Sequence, residues 1–323
     1  MSTQDTGNST AFIEAEQYSQ FLIENLPDGM LPEVMARNVS DFQSGTTLNI
    51  KTVGTRTIQD VQEGVAMTFN PIDTGNVTLS ITDYIGDAWA VSDELREDGA
   101  QVEQLSAAMA MESTRAVQEA IETSFLSACN AAQTANAANN VNGVKHRYLA
   151  GGASRELELM DIAYMKYAFD KANAPANGRV LLVDPIVELT INEATSITSL
   201  ANNPMFEGLI QEGWARDHKF LKNIFGFDIY TSNRLPTVGV EADLTDRDGA
   251  DLTTVAGDIA NVAMCIADDN TRPMMRADRR IAAVEGWREN KLREDRFQTS
   301  ARFGFGAQRV DTLGIITTSA TAY

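Results

Sequence analysis

An α+β fold is predicted for this 323-residue chain, on three features that follow one another along it. Residues 47–84 read as two alternating strands, the first through Leu48, Ile50 and Thr52, the second through Val77, Leu79, Ile81 and Tyr84. That period of two marks half-buried strands. A long Ala/Met-rich helix follows over residues 100–133. Strands and helices then alternate over residues 154–278, describing an α/β body, and the remainder returns as strands.

The elements can be justified in order. Residues 1–46 begin as a polar arm and contain an amphipathic helix through Phe12, Ile13, Tyr18, Phe21, Leu22 and Leu26, broken by Pro27, Gly29 and Pro32. With no partner inside its own stretch, the arm must dock on the body or on a neighbour. In the strand pair, Lys51, Arg56, Asp60 and Glu63 sit among Gly54, Gly64 and Gly75. Few apolar groups are expected there for a core of its own. An isolated hairpin is marginal in water, so a neighbouring molecule is expected to cover it.

After Trp89 and Val91, Ser92 is suited to cap a short helix begun by Asp93, Glu94 and Glu97. Gly99 divides it from the long one. There the apolar positions Val102, Leu105, Met109, Ala116, Val117, Ala120, Ile121, Phe125 and Ala128 recur at spacings of three and four. Such a helix spans about 50 Å at roughly 1.5 Å per residue. Its many alanines favour close packing under a sheet over a heptad seam.

Residues 134–142 form an Ala/Asn-rich loop, and Gly151, Gly152 and Ser154 mark the next boundary. Residues 156–172 read as an amphipathic helix through Leu157, Leu159, Ile162, Met165, Tyr167 and Phe169, ended by Pro175, Asn177 and Gly178. Residues 179–183 are a buried strand; Asp184 and Pro185 then cap and open a helix through Ile186, Leu189 and Ile191. A further helix is expected over residues 206–214. Two short strands turn at Gly226, a polar loop covers residues 237–257, and residues 262–267 form another buried strand. The last segment carries strand residues from Ile281 and Trp287 through Phe297, Phe303 and Phe305 to Ile315 and Ile316.

Composition narrows the function. Hydrophobic residues make up 43% and charged residues 22%, ordinary soluble usage. No apolar run approaches the roughly 18 residues of a membrane span, and the polar start lacks the regions of a signal peptide, so synthesis in the cytoplasm is expected. The net charge of −19 repels polyphosphate and argues against tight, general nucleic-acid binding. Between Arg272 and Arg302 nine basic residues are interleaved with Asp278, Glu285, Glu289, Glu294 and Asp295. That pattern suits solvated strands and intermolecular ion pairs better than a DNA-binding stripe.

Catalytic chemistry finds little support. Cys129 and Cys265 read as buried small hydrophobes, and His146 and His218 belong to no metal motif. Gly304 and Gly306 lack the third glycine of a dinucleotide fingerprint, so a bend or a close backbone approach explains them better. Asp184 has no companion base or nucleophile and reads as a helix cap. The acidic loop through Asp243, Asp246, Asp248 and Asp251 fails the calcium-loop register, with Leu244 and Val255 at the first and last ligand positions.

The order of parts resembles the major capsid proteins of tailed bacteriophages, with their Hong Kong 97-like fold. The resemblance rests on the strand pair flanking residues 51–75, the spine at 100–133, Gly178-Arg179-Val180-Leu181-Leu182-Val183-Asp184-Pro185, the stretch from Gly226-Phe227-Asp228 to Arg234-Leu235-Pro236, and the closing residues 303–318. It implies an N-terminal arm at 1–46, an extended β-hairpin loop at 47–83, a peripheral domain with the spine helix at 84–153, an α/β axial domain at 154–278, and strands returning to the peripheral domain at 279–323.

By the same resemblance, copies assemble as hexamers and pentamers into an icosahedral shell around a double-stranded DNA genome. No catalysis, cofactor, metal or membrane is implied. The partners would be the chain itself and separate scaffolding, portal and decoration proteins; the place is the virion capsid, assembled in the host cytoplasm. No cleaved scaffolding segment is expected before the arm. Lys51, the only lysine in the hairpin and near its base, argues against lysine cross-linking. Phe12, Tyr18, Arg56, Asp60 and Glu63 are the expected inter-subunit contacts. An encapsulin-like compartment holding enzyme cargo and a soluble oligomeric α/β enzyme are the alternatives.

Overall fold

The structure, a computed structural model, describes residues 32–39, 45–54, 58–64, 66–67, 69, 71–72, 74–98, 102–133, 140–193, 220–241, 244–249 and 254–321. In chain order the elements are α1 (Pro32–Met35), β1 (Arg37–Asn38), β2 (Thr47–Val53), β3 (Thr74–Ser80), β4 (Asp83–Ser92), α2 (Asp93–Asp98), α3 (Val102–Ala132), β5 (Asn140–Val141), β6 (Val144–Lys145), β7 (Arg147–Leu149), α4 (Leu159–Lys171), β8 (Arg179–Val183), α5 (Pro185–Glu193), β9 (Phe220–Ile224), β10 (Phe227–Thr231), β11 (Ile259–Cys265), β12 (Met274–Glu289), β13 (Glu294–Ala307) and β14 (Leu313–Thr318). This is the expected α+β mixture. The helices expected through Phe12 and over residues 206–214 lie outside the described residues.

A six-stranded mixed sheet, ordered β7-β14-β11-β8-β10-β9, forms the larger body. Its central strands are apolar at nearly every position because both faces are covered. Leu181, Val183, Ala263 and Ile316 face Ile162, Met165 and Phe169 of α4 and Val187 of α5. Val180, Leu182, Val262 and Ile315 face the opposite way, onto Phe125, Leu126 and Cys129 of α3. Asp184 accepts from the Ile186 backbone N–H at 3.1 Å, the cap that starts α5. The β9–β10 turn places Phe225 and Gly226 at φ 52° and 88°, the pair of positive values a tight two-residue hairpin turn requires.

The smaller body is a four-stranded sheet, β1-β12-β13-β4, with α3 across one face. Val117 and Ile121 pack on Ala301 and Phe303, and Phe125 meets Phe305 edge-on at 5.4 Å. The 31-residue α3, about 46 Å long, thus leaves the small sheet and ends on the large one. Arg234, beyond β10, ties the joint by donating to Glu119 at 2.9 Å and Glu122 at 2.7 Å. Close packing under a sheet holds from Ser113 onward: Leu105, Met109 and Met111 are exposed.

Three boundaries differ from the sequence reading. Alternation from Val77 to Tyr84 suggested one strand, but Ile81 and Thr82 break it: β3 pairs with β2, whereas β4 pairs with β13. The helix expected from residue 156 starts at Leu159, because Asp161 turns back to accept from the Glu158 N–H at 2.8 Å and fixes the first turn there. The closing segment divides: β12 and β13 form the small sheet, while β14 lies between β7 and β11 in the large one. Continuous burial along Leu313–Thr318 demands covering layers on both faces, which the centre of the six-stranded sheet has.

Candidate assembly surfaces

The β2–β3 hairpin has two unlike halves. At its base, Leu79 and Ile81 are buried with Met275 and Ala277 of β12, and Leu48, Ile50 and Val77 are half-buried around them. The chain itself therefore covers this half, contrary to the expectation that only a neighbour would. Gly304 and Gly306 make the crossing possible: a Cβ on Gly304 would lie 2.8 Å from the Ile81 Cα and overlap the Ser80 carbonyl oxygen, and one on Gly306 would meet the Leu79 Cδ1 at 2.9 Å. The two strand glycines serve a close backbone approach, as their setting suggested.

Beyond the ladder the hairpin is bare. Ile58 is 100% and Phe69 97% exposed, and Val61 and Met67 are exposed as well. The expectation of few apolar groups in this outer half is wrong. These side chains were visible in the sequence, where Met67 and Phe69 are two apart and Ile58 and Val61 three apart, but runs that short stand out less than the charged and glycine residues around them. Asp60 and Glu63 stand exposed among them. Phe12, Tyr18 and Arg56 lie outside the described residues, so of the five expected contacts only these two carboxylates can be placed.

On the small sheet, most described charges of the Arg-rich segment are paired within the chain. Arg276 bonds Asp278 at 2.9 Å, Arg296 bonds Glu294 at 2.6 Å, and Arg280 pairs with Glu285. Arg288 holds both Asp93 at 2.7 Å and Asp295 at 3.0 Å, and Arg96 adds a second contact to Asp295 at 2.9 Å. The Arg288 hydrogen bond lowers the Asp93 carboxyl below its ordinary range. Intermolecular pairing was expected of this segment; pairs within one strand, together with the cross-strand pair Arg288–Asp295, satisfy much of it locally instead.

The groups weighed for chemistry have structural roles. Among the described residues no three His, Cys, Asp or Glu side chains are placed to share a metal ion. His146 is buried against Phe169, its pKa lowered by burial, with Nδ1 at 3.2 Å from the Val144 carbonyl. Cys129 and Cys265 are buried free thiols, and burial raises Cys129. Asp161 accepts from the backbone N–H groups of Glu158 and Gly151 and from Arg247 at 2.8 Å; burial still raises its pKa. Among the described helices none is long and apolar enough to cross a membrane.

A long helix bridging a mixed α/β sheet and a small sheet that carries an outstretched hairpin defines a class of shell-building subunit, the Hong Kong 97-like fold. Residues 75–318 match the model of the phage capsid protein family, and the chain belongs to that family. It is a major capsid protein of an icosahedral bacteriophage shell, and its place is the virion capsid. No curated protein matches the sequence.

Solved structures agree in fold. A chain from Mycobacterium phage Che8 is 18% identical with a TM-score of 0.65, covering 94% of this chain and 97% of that one. The mature capsid of bacteriophage PhiM1 gives 13% identity and a TM-score of 0.71 over 98% and 96%. The capsid of cyanophage P-SCSP1u gives 17% and 0.68 over 99% and 96%.

Proposed function

We propose that copies of this chain close into hexamers and pentamers by laying the outer half of the β2–β3 hairpin on a neighbouring subunit, so that the shell encloses double-stranded DNA without reading its sequence. The supporting observation is the contrast within the hairpin: its base is fixed to its own sheet through Leu79 and Ile81, while Ile58 and Phe69 are almost wholly exposed. Covering such groups is worth roughly 25 cal/mol per Å² of apolar surface, and repetition around a closed shell compounds weak contacts into a stable one. The net charge of −19 leaves packaged DNA loosely held.

In this reading the subunit has a structural and not a catalytic role, and it assembles in the host cytoplasm with separate scaffolding, portal and decoration proteins. The N-terminal arm with Phe12 and Tyr18 docks on neighbours, as does Arg56. The family match favours a genome shell over a compartment for enzyme cargo. The test is negative-stain microscopy of the expressed chain beside a variant lacking residues 60–69. Uniform shells from the intact chain and soluble folded subunits from the deletion are expected. Small discrete oligomers from the intact chain, or normal shells from the deletion, would overturn the proposal.

A further inference from the structure

On the face of the small sheet turned away from α3, next to where β3 crosses Gly304, lies a basin of about 530 Å³ lined by Thr82, Tyr84, Arg279, Arg280 and Arg302. The register explains it. Arg280 is the cross-strand partner of Arg302, and Arg302 of Tyr84, so these three side chains stand in one row on one face. A slip in the β12 register between Asp278 and Arg280 brings Arg279 to the same place. Like charges directly opposite one another destabilise a ladder unless an anion lies between them. Glu285 answers Arg280 in part. Arg302 has no ion-pair partner among the described residues, in a chain with 45 acidic side chains against 26 basic ones.

The two bare carboxylates lie at the other end of the same hairpin. Asp60 and Glu63 are exposed, and neither has an ion-pair partner among the described residues. Thr82, which lines the basin, follows Ser80 at the hairpin base; the ladder from Thr47↔Ser80 to Val53↔Thr74 carries the outer half about 20 Å away. The ladder thus stands between the basin and the carboxylates. We infer that the basin receives Asp60 and Glu63 of a second copy. Arg302 binds the carboxylates, while the exposed Ile58 and Val61 on either side of Asp60 are covered by the same contact. Arginine suits this because its planar fork of N–H donors matches a carboxylate.

This inference rests on the shell reading, and charge exchange in the full-length chain separates the two. The variants are Arg302→Glu, Asp60→Arg with Glu63→Arg, and all three together, with folding checked by circular dichroism and assembly followed by light scattering and microscopy. Turning attraction into repulsion at an exposed contact is expected to raise the concentration needed for shells by about tenfold in either single-sided variant. The combined variant is expected to recover most of that loss.

The Asp60/Glu63 variant alters only exposed side chains, so it remains informative if Arg302→Glu fails to fold. Unchanged assembly in this variant, or loss without recovery in the combination, would overturn the pairing and leave the shell reading intact. Shells that close normally in Arg302→Glu but lose retained DNA would point to phosphate in the basin and overturn it too. Failure of the unaltered chain to form shells would overturn both.

Discussion

Replacing Gly304 by alanine adds one methyl group to β13 at the point where β3 crosses it. That carbon would sit 2.8 Å from the Ile81 Cα and inside the contact distance of the Ser80 carbonyl oxygen, both of them backbone and unable to rotate away. Relief requires the hairpin base to lift by about 1 Å, the scale of movement for which overpacking costs about 1–3 kcal/mol. The alternative is to undock the base and expose Leu79 and Ile81, at about 1.5–3 kcal/mol each. Strain is therefore expected to prevail over full undocking.

The assay is denaturant unfolding of the unassembled subunit together with hydrogen exchange. A stability loss of about 1–3 kcal/mol is expected, with faster exchange confined to β2 and β3 while amides of β8 and β11 stay protected. Gly239→Ala is the control, since nothing lies within 4 Å of its added carbon, and it should fall within about 0.5 kcal/mol of the unaltered chain. Gly304→Ala with unchanged stability and unchanged hairpin protection would refute the claim that this glycine sets the crossing. A wholesale loss of structure would refute the claim that the effect is local.

Other outcomes follow from the same packing. Leu79→Ala should cost about 2–5 kcal/mol in denaturant unfolding through the cavity it leaves, and less when combined with Gly304→Ala, because the two share one contact. Arg234→Ala removes the cation beside Glu122, whose carboxyl burial already pushes above its ordinary value. A raised acid favours the protonated folded state, so the loss should be small below about pH 4.5 and grow as pH rises; Glu122→Gln in the same background should recover stability at pH 7. His146 acts with the opposite sign. Its burial lowers its pKa from the usual 6.5, so its contribution is full above that value and is lost as pH falls. His146→Phe should flatten the decline in melting temperature measured from pH 6.5 to 5.

How far the sequence could be read depended on whether a residue's partners were close along the chain. Asp184 and Pro185 start a helix by local bonding, and the cap is where the residues indicate. The unbroken apolar run at residues 180–183 requires two covering layers, so a sheet packed on both faces follows from four side chains. Ile81 and Thr82 carry no local mark that the strand stops there; it stops because β13 captures the next ten residues. Gly304 and Gly306 signal a close approach but cannot say that Ser80 and Leu79 are what approaches.

The same division holds for the proposed assembly surface. Asp60 and Glu63 could be picked out as exposed charges, yet nothing adjacent in sequence points from them to Arg302, because the basin exists only after β4, β12 and β13 align in register. The strand pair that looked unsupported along its whole length is supported for half of it. A hairpin anchored at one end can hold its outer apolar and acidic groups away from its own body without losing much entropy when a neighbour receives them, since the base is already ordered before contact. On the proposed contact anchoring is part of assembly, and a subunit with a loosened base should assemble more weakly even when every contacting residue is intact.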